Sequence, residues 1–265
     1  MRRGFHCVNR APELRLGASV VLQFAEHGDY EGLAKPFPYS AQPILTPFDL
    51  TTQNGRTRTV LDYLWNDHAY LRLGFQNAHW ISPELVRTNQ PWPFQFRQWK
   101  EKGVKTIINL RGGFDASFYA LERDACERLG LTLIDFTVTS REVPSRARVL
   151  GAKEMFDTIE YPALMHCKSG ADRAGIMSVL YSHFRLGQPI REALNQLSLS
   201  YLHVKAGKTG VLDYVFERYL ADAEPKGMSF TDWVESDAYD PVAMKAEFRA
   251  KWWGTILTEQ MIKRE

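Results

Sequence analysis

Ala163-Leu164-Met165-His166-Cys167-Lys168-Ser169-Gly170-Ala171-Asp172-Arg173-Ala174-Gly175 joins a short apolar run to a second one through a loop of small, polar and charged residues. Its apolar start, 163–165, reads as a short buried strand. The segment Gly175-Ile176-Met177-Ser178-Val179-Leu180-Tyr181 is apolar almost all round and reads as a buried helix. The loop between them therefore joins a strand end to a helix start. There the first backbone N–H groups of a helix lack internal partners, and the helix dipole favours an anion. A cysteine opens this loop and an arginine closes it six positions later.

Outward from the loop, strands and helices alternate from about residue 84 to 184. Lys105-Thr106-Ile107-Ile108-Asn109-Leu110 is a β-branched run too short for a helix and reads as a buried strand. Residues 78–81, 85–88 and 131–138 read as further strands. Helices are expected from Pro93, from Ser117 with Gly130 as its stop, and from Pro144-Ser145. The pattern predicts an α/β fold: a central, mostly parallel sheet flanked by helices. Ligands of such sheets bind beyond the carboxyl ends of the strands, where Cys167 lies.

Three regions follow. Residues 1–76 read as an N-terminal arm with one amphipathic helix, 77–222 as the main domain carrying the loop, and 223–265 as a helical C-terminal extension. In the arm, prolines between 36 and 47 disfavour regular structure. Thr59 and Asp62 form a plausible capping pair, followed at helical spacing by Leu61, Leu64, Trp65, His68 and Leu71, with Gly74 as the stop. This helix is expected to pack on the main domain. A membrane-surface role through Tyr63, Trp65 and Tyr70 is the alternative, with Asp62 and Asp67 the wrong charge for anionic lipid. Beyond the loop, 190–197 and 211–219 read as helices, separated by a basic turn containing Lys205 and Lys208. Asp240-Pro241 caps a last helix carrying Met244, Phe248, Trp252 and Ile256.

Of the 265 residues 45% are hydrophobic, and the net charge is +2. That suits one sizeable domain with extensions, and the balance gives no case for a nucleic-acid partner. Cys7, Cys126 and Cys167 are odd in number and far apart, with no CxxC pair. Neither a disulfide framework nor a zinc ribbon is indicated, and a reducing, cytoplasmic compartment fits best. The basic start and the apolar 16–25 run faintly resemble a signal peptide, but Pro12 and Glu13 interrupt the basic region, so a short helix or strand is expected. No run approaches the ~20 apolar residues of a membrane span.

The loop's contents point to chemistry on an anion. Thiols in water ionise near a pKa of about 8.5, and only the thiolate is a good nucleophile; a helix N-terminus and a guanidinium both favour it. Six backbone N–H groups, from Lys168 to Arg173, are placed to curl around a tetrahedral anion, with Lys168, Ser169, Gly170 and Ala171 as the cradle. Arg173 supplies a planar fork for two phosphate oxygens. Attack by Cys167 on phosphorus would give a phosphocysteine that water then hydrolyses, with no metal and no cofactor. His166, preceding the nucleophile on a strand, is expected to face inward and hydrogen-bond backbone around the loop.

His-Cys-x5-Arg followed by a small residue and glycine resembles the signature of the cysteine-dependent protein tyrosine phosphatase superfamily. Lys-Thr-Ile-Ile-Asn-Leu-Arg at 105–111 and Arg-Thr-Asn-Gln-Pro at 87–91 resemble its compact, bacterial and fungal dual-specificity-like branch. The resemblance spans roughly 77–220. It implies a phosphotyrosine-phosphatase-like fold and a phosphorylated protein substrate, with a phosphoinositide or other phospholipid or lipid-sugar phosphate as the alternative, along with peripheral membrane contact. Lys168 motivates that alternative, since members acting on highly charged substrates often carry basic residues there.

Two departures from the family pattern matter. Ala174 stands where a Ser or Thr usually helps the thiolate leave. The mobile loop that usually carries an acidic Asp corresponds to 138–144, which has none there; Glu142 lies on it and Asp135 lies before it. Asp172, inside the phosphate loop, is the favoured acid, as in some relatives, with Glu142 and Asp135 as alternatives. The same departures leave open a phosphate-binding relative with little turnover.

Overall fold

The computed structural model describes residues 21–23 and 47–262, with side chains over 47–252. Cys7, the proline-rich 36–43 stretch and the signal-like 16–25 segment apart from 21–23 lie outside the described residues.

The chain runs β1 (Val21–Gln23), α1 (Gln53–Trp65), β2 (His79–Ser82), β3 (Leu85–Asn89), α2 (Pro93–Glu101), β4 (Thr106–Asn109) and α3 (Ser117–Leu129). It continues through β5 (Thr132–Asp135), α4 (Arg146–Thr158), β6 (Ala163–Cys167), α5 (Asp172–Phe184), α6 (Ile190–Ala193), α7 (Val211–Asp222), α8 (Phe230–Glu235) and α9 (Pro241–Ile262). Among the described residues the sheet has six strands in the order β1-β5-β4-β6-β3-β2. Every pairing is parallel except β2 with β3. The α/β fold with a mostly parallel sheet is therefore as the sequence predicts.

Strand alternation divides β6 between two cores. Met165 and Cys167 face one side with Ile108 and Ile134, under α4, α5 and α7. Leu164 faces the other with Ile107 and Leu133, under α2 and α3. All five residues of β6 are buried, because both faces of this central strand are covered. Residues 174–182 of α5 are buried without interruption, as its unbroken apolar character requires. Phe230, Trp233, Tyr239 and Met244, beyond α7, join the same core as α4 and α5. Asp240 caps α9 through its carboxylate, which accepts from the N–H groups of Val242 and Ala243.

The arm differs from its expectation. The helix begins six residues before Thr59, with Thr52 as the cap whose side chain accepts from the Gly55 N–H. It ends at Trp65, and His68 adopts φ 56° before a short 3-10 turn, so no single helix runs from 59 to 74. Thr59 and Tyr63 form the buried face, whereas Leu61, Trp65 and Leu71 are 48%, 64% and 64% exposed. Packing followed the Tyr63 ring, which sits edge-on to Trp92 with its hydroxyl on the Pro91 carbonyl. No helix among the described residues is long and apolar enough to cross a membrane.

Candidate functional site: a backbone cradle after β6

The loop after β6 is shaped from outside by four consecutive carbonyls. Lys168 O accepts from the Gln90 N–H at 3.4 Å, and Ser169 O from Asn77 Nδ2 at 3.0 Å. Gly170 O and Ala171 O both accept from Arg87 Nη2 at 2.9 Å. In a trans peptide the next residue's N–H points opposite to the carbonyl. The N–H groups of residues 169–172 therefore point away from those partners, and that of Ala171 reaches Ser169 Oγ at 3.4 Å. Those of Lys168, Ser169 and Gly170 have no protein acceptor among the described residues.

Gly170 is required twice in this turn. Its φ is +74°, and a Cβ there would lie 2.8 Å from the Asn89 nitrogen. Gly175, in the first turns of α5, has no such φ but leaves space: a Cβ would meet Leu197 Cδ2 at 2.6 Å and crowd Arg87.

Cys167 sits 1% exposed at the end of β6. Arg173, in the first turn of α5, is half-buried, with no carboxylate partner for its guanidinium among the described residues. Arg87 is fully buried and also reaches the Gln196 carbonyl at 2.7 Å and stacks over Tyr201. Burial lowers its pKa to about 10, which leaves it charged at neutral pH.

Beneath the loop lies a polar bed. His166 faces α3, away from Cys167, and its Nε2 meets Glu122 Oε1 at 2.5 Å. The expected bonding of this ring to loop backbone is corrected: alternation along β6 turns it to a buried carboxylate instead. Glu122 also accepts from Gln90 Nε2, and Gln90 Oε1 accepts from Arg111. Arg111 continues to Asp67, where Arg72 and Lys168 converge as well, Lys168 Nζ at 3.3 Å. Burial would raise the Asp67 pKa, but the Arg111 hydrogen bond and the surrounding cations outweigh it and hold it below its ordinary value. Lys168 and Arg111 are thus engaged in anchoring residues 67–72 to the loop.

The three acid candidates occupy different settings. Glu142 pairs with Lys245 of α9 and is half exposed. Its loop is held from the C-terminal side: Tyr239 donates to the Pro144 carbonyl at 2.7 Å and Arg146 to the Ser236 carbonyl at 2.8 Å. Asp135 ends β5 in a buried site, accepting from Asn109 Nδ2 at 2.9 Å and the Tyr119 hydroxyl at 2.6 Å. Asp172 opens α5, and its Oδ1 meets Nδ1 of His203 at 2.7 Å. The loop therefore brings together Cys167, Lys168, Ser169, Gly170, Ala171, Asp172 and Arg173, while Glu142 and Asp135 are held by other partners.

Asp135 gives a test of its own. Burial raises its pKa to about 6 against the hydrogen bonds that favour the carboxylate. The folded state then holds a proton that the unfolded state has released, so stability is full below the unfolded pKa. It falls as pH rises from about 4 to about 6, by roughly 3 kcal/mol. Asp135→Asn is expected to flatten that dependence in denaturant unfolding at pH 4 and pH 7. A pH dependence identical to wild type would refute this.

Arg87, Asn77 and His203 escaped the sequence reading of the site. Arg87 and Asn77 act across 83 and 92 residues, and only the Arg-Thr-Asn-Gln-Pro string hinted at the first. His203 borders the basic turn but gives no local signal.

Residues 87–209 match a family model described as a DSP-PTPase phosphatase fused to NAD+ kinase. Solved structures with a similar chain path include TpbA of P. aeruginosa in complex with pTyr (19% identity, 57% of this chain and 86% of that one, TM-score 0.45). Others are Tk-PTP in the active form (16%, 54% and 97%, 0.44) and PTPMT1 (17%, 56% and 99%, 0.43). Comparison with curated proteins gave no match.

Proposed function

We propose that this chain, whose residues 87–209 match the DSP-PTPase family model, is a dual-specificity-like member of the cysteine-dependent protein tyrosine phosphatase superfamily that hydrolyses phosphomonoesters through a cysteinyl-phosphate intermediate. The reading is supported by four successive loop carbonyls bound by groups outside the loop, which leaves the N–H groups of Lys168, Ser169 and Gly170 without a protein acceptor among the described residues, next to Cys167 and the start of α5. Such donors stabilise the equatorial oxygens of a phosphoryl group in transfer without reorganising during the step. In this reading Cys167 Sγ attacks phosphorus, Arg173 clamps two of those oxygens, and Asp172 gives the leaving oxygen its proton. Water then attacks the phosphocysteine, and Asp172 takes a proton back.

Asp172 is favoured over Glu142 on position, since it shares the helix start with the cradle while Glu142 faces Lys245. With an aryl phosphate of weakly acidic phenol, Asp172→Asn should lower kcat by ~10²-fold or more and alter the basic limb of the pH profile. Glu142→Gln should keep the wild-type profile. An unchanged profile in Asp172→Asn would overturn the assignment.

A phosphorylated protein is the substrate class favoured here, because Lys168 is engaged by Asp67 rather than free for a second anionic group. A phospholipid is the second reading, supported by exposed Trp65, Leu71, Leu73 and Phe75 on the segment tied to the loop's rim. A panel of phosphotyrosine and phosphoserine peptides against phosphoinositide vesicles, with Cys167→Ser as control, separates the two. Turnover confined to vesicles would reject the first.

A further inference from the structure

We propose that His203, held by Asp213, is a positioning residue that orients Asp172 beside the phosphate cradle and stores the proton Asp172 delivers. The proposal rests on the phosphatase reading above and deepens it.

His203 is completely enclosed, its side chain 0% exposed. Its Nδ1 meets Asp172 Oδ1 at 2.7 Å and its Nε2 meets Asp213 Oδ2 at 2.7 Å. One ring thus links the first residue of α5 to the third residue of α7. Asp213 is buried as deeply as the ring, whereas the Asp172 side chain is 27% exposed, so the chain of groups has one closed end and one end open beside the loop. A buried imidazole with a carboxylate at each nitrogen donates to both only when doubly protonated. Burial would lower its pKa, but the bonds to Asp172 and Asp213 outweigh this and raise it to about 9. Those carboxylates are the charged groups facing the ring. The positive charges of Arg87 on β3 and of Lys205 act in turn on Asp172 and on Asp213.

The proton path closes over one cycle. A bound phosphate dianion beside Asp172 disfavours a second negative charge there, and the Nδ1 proton passes to the Asp172 carboxylate. The ring becomes neutral and keeps its Nε2–H on Asp213. As the Cys167 sulfur bonds to phosphorus and the P–O bond breaks, Asp172 protonates the leaving oxygen. In the second step water adds to phosphorus, the S–P bond breaks, and the water's proton returns through Asp172 to Nδ1.

The test compares wild type, His203→Gln and Asp213→Asn on aryl phosphates of graded leaving-group acidity. On phenyl phosphate, kcat should fall by ~10²-fold in His203→Gln; on para-nitrophenyl phosphate, by less than ~10-fold, since a better leaving group needs less acid. Asp213→Asn should show the same slope with smaller losses. Equal losses on every leaving group, or no loss, would overturn the relay and leave His203 a purely structural group. If His203→Gln does not fold, the ring's nitrogen resonances in folded Cys167→Ser protein decide. Inorganic phosphate should convert a doubly protonated ring to one protonated at Nε2, and an unchanged ring contradicts the proposal. Turnover that is independent of Cys167 would instead strike the underlying phosphatase reading.

Discussion

Cys167→Ser should lower turnover of para-nitrophenyl phosphate by about 10⁴-fold or more while leaving the protein folded. Serine fits the space, because Cys167 is 1% exposed in a core cluster with Met165 and Ala174 and makes no bond that a hydroxyl would forfeit. What changes is the nucleophile. A serine hydroxyl stays protonated near neutral pH, and His166, the neighbouring base, points to Glu122 on the opposite face of β6. The cradle itself is backbone, fixed by Arg87, Asn77 and Gln90, so phosphate affinity should persist. Steady-state rates and a melting curve check both halves. Activity within tenfold of wild type would remove Cys167 from the chemistry.

The next largest effect belongs to Arg173. Its guanidinium lies half-buried in the first turn of α5 without a carboxylate partner among the described residues. Arg87, by contrast, spends its donors on Gly170 O, Ala171 O and Gln196 O. In the proposed mechanism the two arginines divide the work: Arg87 builds the loop and Arg173 clamps the phosphoryl group. Arg173→Lys keeps the charge but loses the planar fork, and kcat/KM should drop by about 10²–10³-fold. Arg173→Met should drop it further, with little change in melting temperature, since no structural bond is cut. A Lys variant with wild-type kcat/KM would show that the fork is not the clamp.

The strand–loop–helix unit was legible because its signals are local. A fully apolar strand, a glycine turn and a helix without a polar face admit one arrangement, at the carboxyl end of a parallel sheet. The arm was not legible in the same way. Leu61, Trp65 and Leu71 keep helical spacing, yet the chain breaks at His68 and buries Tyr63 against Trp92 instead. Spacing does not say which face finds a partner. Asp172 was visible as an acid within the loop, whereas its partner His203 lies 31 residues on and Asp213 another ten. Polar networks of this kind are set by packing between elements, and no short window of sequence carries them. The 138–144 segment likewise showed no Asp, but not that Tyr239, Arg146 and Lys245 tie it to the C-terminal helices.

A covalent phosphoryl group on Cys167 is the species that acid quenching would trap. Wild-type protein would be mixed with excess para-nitrophenyl phosphate, stopped in acid within the first turnover, digested and weighed by mass spectrometry. Without a hydroxyl at 174 the thiolate leaves unaided, so phosphoenzyme should accumulate on the Cys167 peptide and clear faster in Ala174→Ser. Rapid turnover of substrate with no phosphoryl group on that peptide, in either protein, would rule out the phosphocysteine.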